Sequence, residues 1–137
     1  MDAVLFVAAG GALGALCRYF TGMAAAAVFG PFFPVGTLIV NIVGCFVIGS
    51  VYASQPSGLL GEFILQGFCG ALTTFSTFSL DSFRLFQPHN VFQCCFNHFL
   101  FHLSLLRLQI NHAANVLLNM VLGLGAAALG LSLFSVA

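Results

Sequence analysis

Charged side chains are almost missing from this sequence. Asp, Glu, Lys and Arg together make up 4% of its 137 residues, and the formal net charge is zero. Soluble globular domains carry about 25% charged residues, so the composition excludes that class. The basic side chains are three scattered arginines, Arg18, Arg84 and Arg107. We therefore expect no nucleic acid or acidic surface as a partner.

Signals for disulfides, secretion and catalysis are missing as well. The five cysteines show no paired spacing, which predicts no disulfide framework. Met1 and Asp2 supply no basic segment ahead of the first apolar run, so we expect that run to be a mature helix rather than a signal peptide. The sequence offers no nucleophile and base pair and no phosphate loop, and an enzyme is not predicted.

What the chain has in abundance is apolar sequence, with 61% hydrophobic residues and a mean hydropathy of +1.11. A helix needs about 20 apolar residues to cross a bilayer, and four crossings fit this length. The sequence predicts a single integral membrane domain over 1–137, all-α, with helices at about 3–27, 35–54, 59–86 and 112–134. Three arginines give almost no bias between the loops, so insertion in both orientations is physically plausible.

The segment Gly67 to Ser79, GFCGALTTFSTFS, places seven glycine or hydroxyl positions inside an otherwise apolar span. Non-helical backbone is tolerated at membrane depth where it is buried in protein or lines a cavity, and hydroxyls can satisfy the backbone groups that a break frees. We therefore predict a helix interruption from Thr73 to Ser79 beside a polar pathway. The alternative is a continuous helix that uses these small residues as a packing face.

Three asparagines lie in the other spans. Asn41 stands in the middle of the second apolar run, and Asn115 and Asn119 are four residues apart on one face of the last. An amide in hydrocarbon is costly without a partner, so each should face the bundle interior. There it can either bond a neighbouring helix or donate to a substrate, and the sequence leaves both roles open.

Smaller signals accompany the spans. Gly10-x-x-x-Gly14 allows close approach of helix backbones, and Arg18 one turn later either reaches the interface or faces a wet cavity. Asp81 can pair with Arg84 three residues on, or line a pore entrance.

The segments GGALGALCRY, PVGTLIVNIVG, GFCGALTTFSTFS with an acid at Asp81, and NVLLN resemble the CrcB/Fluc family of fluoride channels, over residues 5–86 and 112–135. The resemblance implies an antiparallel, dual-topology homodimer of four-helix subunits with a broken third helix. It further implies two narrow fluoride pores and a structural sodium ion at the dimer centre. Such a channel would export fluoride passively across the bacterial inner membrane and relieve fluoride toxicity.

Site residues follow from matching positions in the same family. The resemblance implies that aromatic rings line the pores, that amides and hydroxyls contact fluoride, and that backbone carbonyls hold sodium. The implied fluoride pathway comprises Arg18, Asn41, Phe75, Ser76, Thr77, Phe78, Ser79, Asn115 and Asn119. The implied sodium ligands are the carbonyls of Gly70 and Thr73. Asp81 stands where many relatives have Glu.

Residues 88–110 depart from the family pattern by roughly 18 extra residues, which is almost enough to cross a bilayer. A crossing would reverse the last helix, and polar residues interrupt the segment, so we expect a non-spanning helical extension or an interfacial segment. A shifted reading frame is another origin. Cys94, Cys95, His98 and His102 lie here, and incidental polar residues of an amphipathic helix explain them better than a metal site does.

Two other functions compete with a fluoride channel. A small dual-topology multidrug exporter needs an ionisable carboxylate in mid-membrane, whereas Glu62 and Asp81 are predicted near helix ends. A non-transporting membrane subunit would use its Asn and Thr side chains only to join helices.

Overall fold

The computed structural model describes residues 1–30, 32–56, 58–86 and 98–135, and all secondary structure within these ranges is helical. We number the helices in chain order. They are α1 (Asp2–Phe29), α2 (Val35–Ser54), α3 (α-helical Leu59–Gly61, π-helical Glu62–Cys69 and α-helical Gly70–Leu72 in succession), α4 (Phe75–Phe86) and α5 (His98–Phe134).

Four of the described helical stretches are long and apolar enough to cross a membrane. They are Asp2–Phe29, Val35–Ser54, Leu59–Leu85 and Leu106–Phe134. Few apolar side chains are buried among them, and most large ones face outward. In water such a surface would aggregate, whereas in a bilayer the lipid tails cover it. The predicted all-α membrane fold with four spans is therefore confirmed, and the chain is a multi-pass membrane protein.

Glycines let α1 and α3 pack backbone to backbone. A Cβ at Gly10 would overlap the carbonyl oxygen of Phe63, and a Cβ at Gly14 would overlap that of Phe68. On the other side of the contact, a Cβ at Gly67 would lie 2.7 Å from the carbonyl oxygen of Val7. The Gly10-x-x-x-Gly14 spacing thus serves close helix packing.

Helix α2 occupies a central position because it packs on α1 and α5. Gly36 meets Gly22 of α1, and Gly49 meets Ala127 of α5. From the α5 side, a Cβ at Gly130 would lie 2.8 Å from the hydroxyl oxygen of Ser50. Asn41 lies between these two contacts along α2, so it is held at the middle of the bundle.

The third span is broken, as predicted, but the break is shorter than predicted. Only Thr73 and Thr74 leave the helix, and Phe75 already begins α4. The prediction of an interruption up to Ser79 was wrong because Thr74 caps the next helix, its Oγ1 accepting the Thr77 backbone N–H at 3.2 Å. Gly67 packs on α1 as well, so the break and the small-residue packing face occur together.

Helix α5 begins at His98, earlier than the predicted start near 112, and continues unbroken for 37 residues. The second half of the 88–110 segment is therefore an extension of the last helix. A helix of this length spans about 55 Å, against about 30 Å of hydrocarbon. The membrane-capable part begins at Leu106, and residues 87–97 lie outside the described residues.

Candidate functional site

The helix break redirects two backbone N–H groups. Thr73 is extended, with φ −74° and ψ 153°. The N–H of Thr74, which a regular helix would give to the Gly70 carbonyl, donates to Asn41 Oδ1 at 2.9 Å. The N–H of Thr77, which a regular helix would give to the Thr73 carbonyl, donates to Thr74 Oγ1. The break thus removes the usual helical donors of Gly70 and Thr73.

Asn41, on α2, binds the backbone at the helix break. Its Oδ1 accepts the Thr74 N–H, and its Nδ2 donates to Asn119 Oδ1 at 2.8 Å. A longer contact of 3.5 Å joins the same Nδ2 to the Thr74 carbonyl oxygen. One amide therefore joins α2, the break and α5, which is the interhelical bonding that the sequence left open.

The two asparagines of α5 continue this bonding away from the break. Asn119 Nδ2 donates to Asn115 Oδ1 at 3.1 Å and to the Asn115 carbonyl oxygen at 3.0 Å. Asn115, which has no exposed surface, donates from Nδ2 to Ser82 Oγ at 2.9 Å. The polar groups of Thr74, Asn41, Asn119, Asn115 and Ser82 form one hydrogen-bonded row, which we call the amide row.

Ser82 belongs to the amide row, and the sequence did not identify it as a site residue. The available signal was its place one turn beyond Ser79, which extends the hydroxyl run along α4. That signal is weak, because the partner Asn115 is 33 residues away in sequence.

Phe75 and Phe78 lie on the first turn of α4, beside the break. Their ring centroids are 5.8 Å apart and the ring planes are inclined at 50°. Phe75 is 79% exposed in the single chain, whereas Phe78 is half-buried. The ring pair therefore presents an open edge on the outside of the subunit.

The predicted hydroxyls of α4 are exposed near these rings. Thr74 Oγ1 donates to Thr77 Oγ1 at 3.0 Å and lies 3.2 Å from Ser76 Oγ. Ser79 is exposed one turn further along α4. The structure thus gathers Phe75, Ser76, Thr77, Phe78 and Ser79 at one end of the amide row.

Two charged candidates lie apart from the row. Asp81 accepts a hydrogen bond from Thr37 Oγ1 at 2.7 Å, which joins α4 to α2. No ion pair between Asp81 and Arg84 occurs in the described part of the chain. Arg18 lies partly exposed on α1 and contributes no hydrogen bond to the amide row.

A metal site of His, Cys, Asp or Glu side chains does not occur in the part of the chain that the structure describes. The sequence hypothesis for such a site involved the 88–110 segment. Cys94 and Cys95 lie outside the described residues, as do the side chains of His98 and His102.

A family model described as CrcB-like protein, Camphor Resistance (CrcB), matches residues 5–131. The chain belongs to the CrcB-like family. The resemblance drawn from the sequence motifs is thereby confirmed, and the match runs from α1 through most of α5.

Relatives in the CrcB-like family are named Fluoride-specific ion channel FluC. One from Shewanella piezotolerans is 52% identical over 91 residues, covering 64% of this chain and 73% of the relative. Another from Shewanella halifaxensis is 46% identical over 101 residues, covering 71% and 82%. A third from Shewanella amazonensis is 39% identical over 134 residues, covering 95% and 94%. The last match therefore includes the stretch that contains 88–110.

Proposed function

We propose that this chain forms a fluoride-selective channel that exports fluoride passively across the bacterial inner membrane. The observation that carries the proposal is the amide row, which joins the helix break to the buried interior through Asn41, Asn119 and Asn115. The similarity to proteins named as fluoride-specific channels supports the choice of ion.

Fluoride is small and strongly hydrated, so a pathway for it needs closely spaced donors in place of water. Asn41 is suited to this task because one of its N–H groups makes only the long 3.5 Å contact with the Thr74 carbonyl. That N–H can donate to an anion that approaches beside the Thr74 carbonyl oxygen, while the bonds to the Thr74 N–H and to Asn119 remain. Phe75 and Phe78 can add the positive edges of their rings.

Other polar groups along the pathway are proposed to contact fluoride in succession as it passes. Ser76, Thr77 and Ser79 are exposed hydroxyls beside the rings, and their protons can point at an anion. Asn115 and Asn119 extend the row through α5. Arg18 is partly exposed on α1 and makes no bond to the amide row, so it would attract the anion from a distance through its positive charge.

A second copy of the chain is proposed to complete the pore as an antiparallel, dual-topology homodimer. Phe75 is 79% exposed, and the hydroxyls around it are exposed as well. Lipid tails offer these hydroxyls no hydrogen-bond partners, whereas a second subunit packed on this face would enclose the hydroxyls together with the rings. The weak arginine bias supports insertion in both orientations.

A structural sodium ion is proposed at the centre of that dimer, held by the carbonyls of Gly70 and Thr73. These two residues fit, because the N–H groups that would normally bond their carbonyls donate to Asn41 and to Thr74 Oγ1 instead. Backbone carbonyl oxygens suit a hard cation such as sodium. When bound, the ion would supply positive charge and fix the break, and a second copy would supply further oxygens.

Passive flow is enough to remove fluoride from a cell. An inside-negative membrane potential drives anions outward by about 2.3 kcal/mol per charge per 100 mV, so the pathway needs no coupling carboxylate. Glu62 is exposed near the start of α3, and Asp81 is engaged by Thr37. Neither carboxylate lies on the amide row, which favours a channel over a proton-coupled exporter. A channel of this kind would relieve fluoride toxicity and catalyse no reaction.

The proposed function is tested by efflux from liposomes that contain the purified protein. Vesicles loaded with potassium fluoride or potassium chloride are diluted into ion-free buffer, valinomycin is added, and anion release is followed with ion-selective electrodes. We expect fast release of fluoride and none of chloride above protein-free vesicles. Release of neither ion, or of both equally, would refute the proposal.

A further inference from the structure

The amide row has a direction, because every bond in it is donated the same way. Thr74 N–H donates to Asn41, Asn41 to Asn119, Asn119 to Asn115, and Asn115 to Ser82. Each amide accepts on its oxygen and donates from its nitrogen. The row therefore begins at the helix break and ends on the hydroxyl of Ser82.

Thr74 fixes that direction at one end. A backbone N–H can only donate, so Asn41 must present its oxygen to Thr74 and its NH₂ group to Asn119. The same constraint passes to Asn119 and then to Asn115. The Ser82 hydroxyl at the other end can either donate or accept a hydrogen bond. Because the Asn115 NH₂ group points at it, the hydroxyl acts as the acceptor.

Ser82 is placed firmly for this task. It is 7% exposed, and its partner Asn115 is fully buried. The backbone carbonyl of Ser82 also accepts a hydrogen bond from His112 Nδ1 at 2.8 Å. Helix α5 therefore holds both the backbone and the side chain of Ser82, and bulk solvent cannot replace the hydroxyl as an acceptor.

We propose that Ser82 is a positioning residue for conduction, which sets the orientation of the Asn41 amide through Asn115 and Asn119. This role presupposes the fluoride channel proposed above. Without the Ser82 hydroxyl, the Asn115 N–H loses its acceptor, and rotating the Asn115 amide sets its NH₂ group against that of Asn119. If Asn119 then rotates, two NH₂ groups face each other between Asn119 and Asn41. If Asn41 rotates as well, its NH₂ group faces the Thr74 N–H, and two donors oppose each other at the break.

The test compares two substitutions of nearly equal shape, Ser82→Thr and Ser82→Val, which differ in the hydroxyl alone. Ser50→Ala is the control, because Ser50 is a buried serine that bonds the Phe46 carbonyl and has no contact with the row. Fluoride efflux is measured per folded protein after size exclusion. We expect Ser82→Val to reduce efflux about tenfold, the effect of one lost hydrogen bond. Ser82→Thr and Ser50→Ala should conduct like the unaltered chain.

A double substitution separates positioning from a general effect on folding. In an Asn41→Ser chain the row is already interrupted, so adding Ser82→Val should change the remaining efflux by no more than about twofold. A residue that affects conduction independently of Asn41 would reduce efflux by the same factor in both backgrounds, and a residue that only stabilises the fold would leave the efflux per folded protein unchanged in both. Should Ser82→Val yield no folded protein, Ser82→Cys replaces it, because a thiol is a weak acceptor of similar size.

The outcomes also distinguish this role from the proposed function. If the unaltered chain releases no fluoride, the channel proposal itself fails. If the unaltered chain conducts and Ser82→Val conducts equally well, or the loss is the same in the Asn41→Ser chain, the positioning role of Ser82 is overturned while the channel stands.

Discussion

Asn41 joins three parts of the fold through one side chain, and its role in transport is the proposal above. Its oxygen satisfies the Thr74 N–H that the helix break sets free, and its nitrogen reaches Asn119 on α5. The remaining contact, at 3.5 Å to the Thr74 carbonyl, is long for a hydrogen bond. A residue with two firm bonds and one weak one keeps its place while it exchanges a single partner, which is what a transient ion requires.

The rings of Phe75 and Phe78 are expected to contribute to conduction more than to packing. We expect Phe75→Ala and Phe78→Ala each to lower fluoride efflux up to about tenfold, since a ring edge contributes roughly 0.5–1.5 kcal/mol to such contacts. Phe75 is 79% exposed, so removing its ring opens no cavity within the subunit. Liposome efflux and size-exclusion profiles are measured together.

Phe83→Ala is the matched control for the ring variants, because Phe83 lies on the same helix and is 57% exposed. It should leave fluoride efflux unchanged. Equal loss of folded protein in the Phe75 and Phe78 variants, with normal efflux per folded molecule, would instead assign the rings to packing.

The four membrane-spanning helices could be predicted because each needs an apolar run about 20 residues long, and polar or Pro/Gly breaks separate these runs in the sequence. The π-helical stretch Glu62–Cys69 could not, since side-chain pattern hardly distinguishes one backbone hydrogen-bond register from the next. For 88–110 the sequence left a helical extension and an interfacial segment open, and the structure has the last helix, α5, begin at His98. Polar residues after 97 weaken a membrane signal without disfavouring a helix.

The close contact of α1 with α3 leads to a prediction on stability. Gly14→Ala should destabilise the folded protein by about 1–3 kcal/mol, because its Cβ would overlap the backbone carbonyl of Phe68 and neither backbone can move independently. Gly22→Ala on the same helix is the control. A Cβ there meets nothing within 4 Å, and alanine favours a helix by up to about 1 kcal/mol over glycine.

Thermal unfolding in detergent, followed by size exclusion, measures both variants. Equal stability of Gly14→Ala and the unaltered chain would show that α1 and α3 are further apart than the structure places them.

At the scale of the whole molecule, the candidate site could be predicted in part. Asn41, Asn115 and Asn119 were recognisable because amides in apolar spans need partners, and the structure joins all three. Ser82 was missed because a serine in a helix has local alternatives, and only the fold brings it to Asn115. Asp81 was placed at a pore mouth or beside Arg84, whereas its observed partner Thr37 is 44 residues away in sequence.

The proposed dual-topology assembly predicts that both orientations of the chain occur in one membrane. A cysteine introduced as Asp2→Cys, in a chain whose native cysteines are replaced, should react in part with a membrane-impermeant maleimide from each side of the membrane. About half of the molecules should be labelled from each side, because the arginine bias that fixes orientation is nearly absent. Labelling from one side alone would contradict the antiparallel dimer.

The amide row as a fluoride pathway is tested most directly at Asn41, by efflux from liposomes that contain Asn41→Asp, with Asn41→Ser beside it. An aspartate keeps the acceptor for the Thr74 N–H but has no N–H of its own when ionised, and its charge repels the anion. We expect Asn41→Asp to remain a folded dimer and to release no fluoride above protein-free vesicles, and Asn41→Ser to retain part of the flux. A folded Asn41→Asp protein with undiminished fluoride efflux would contradict the account and remove the amide row from the pathway.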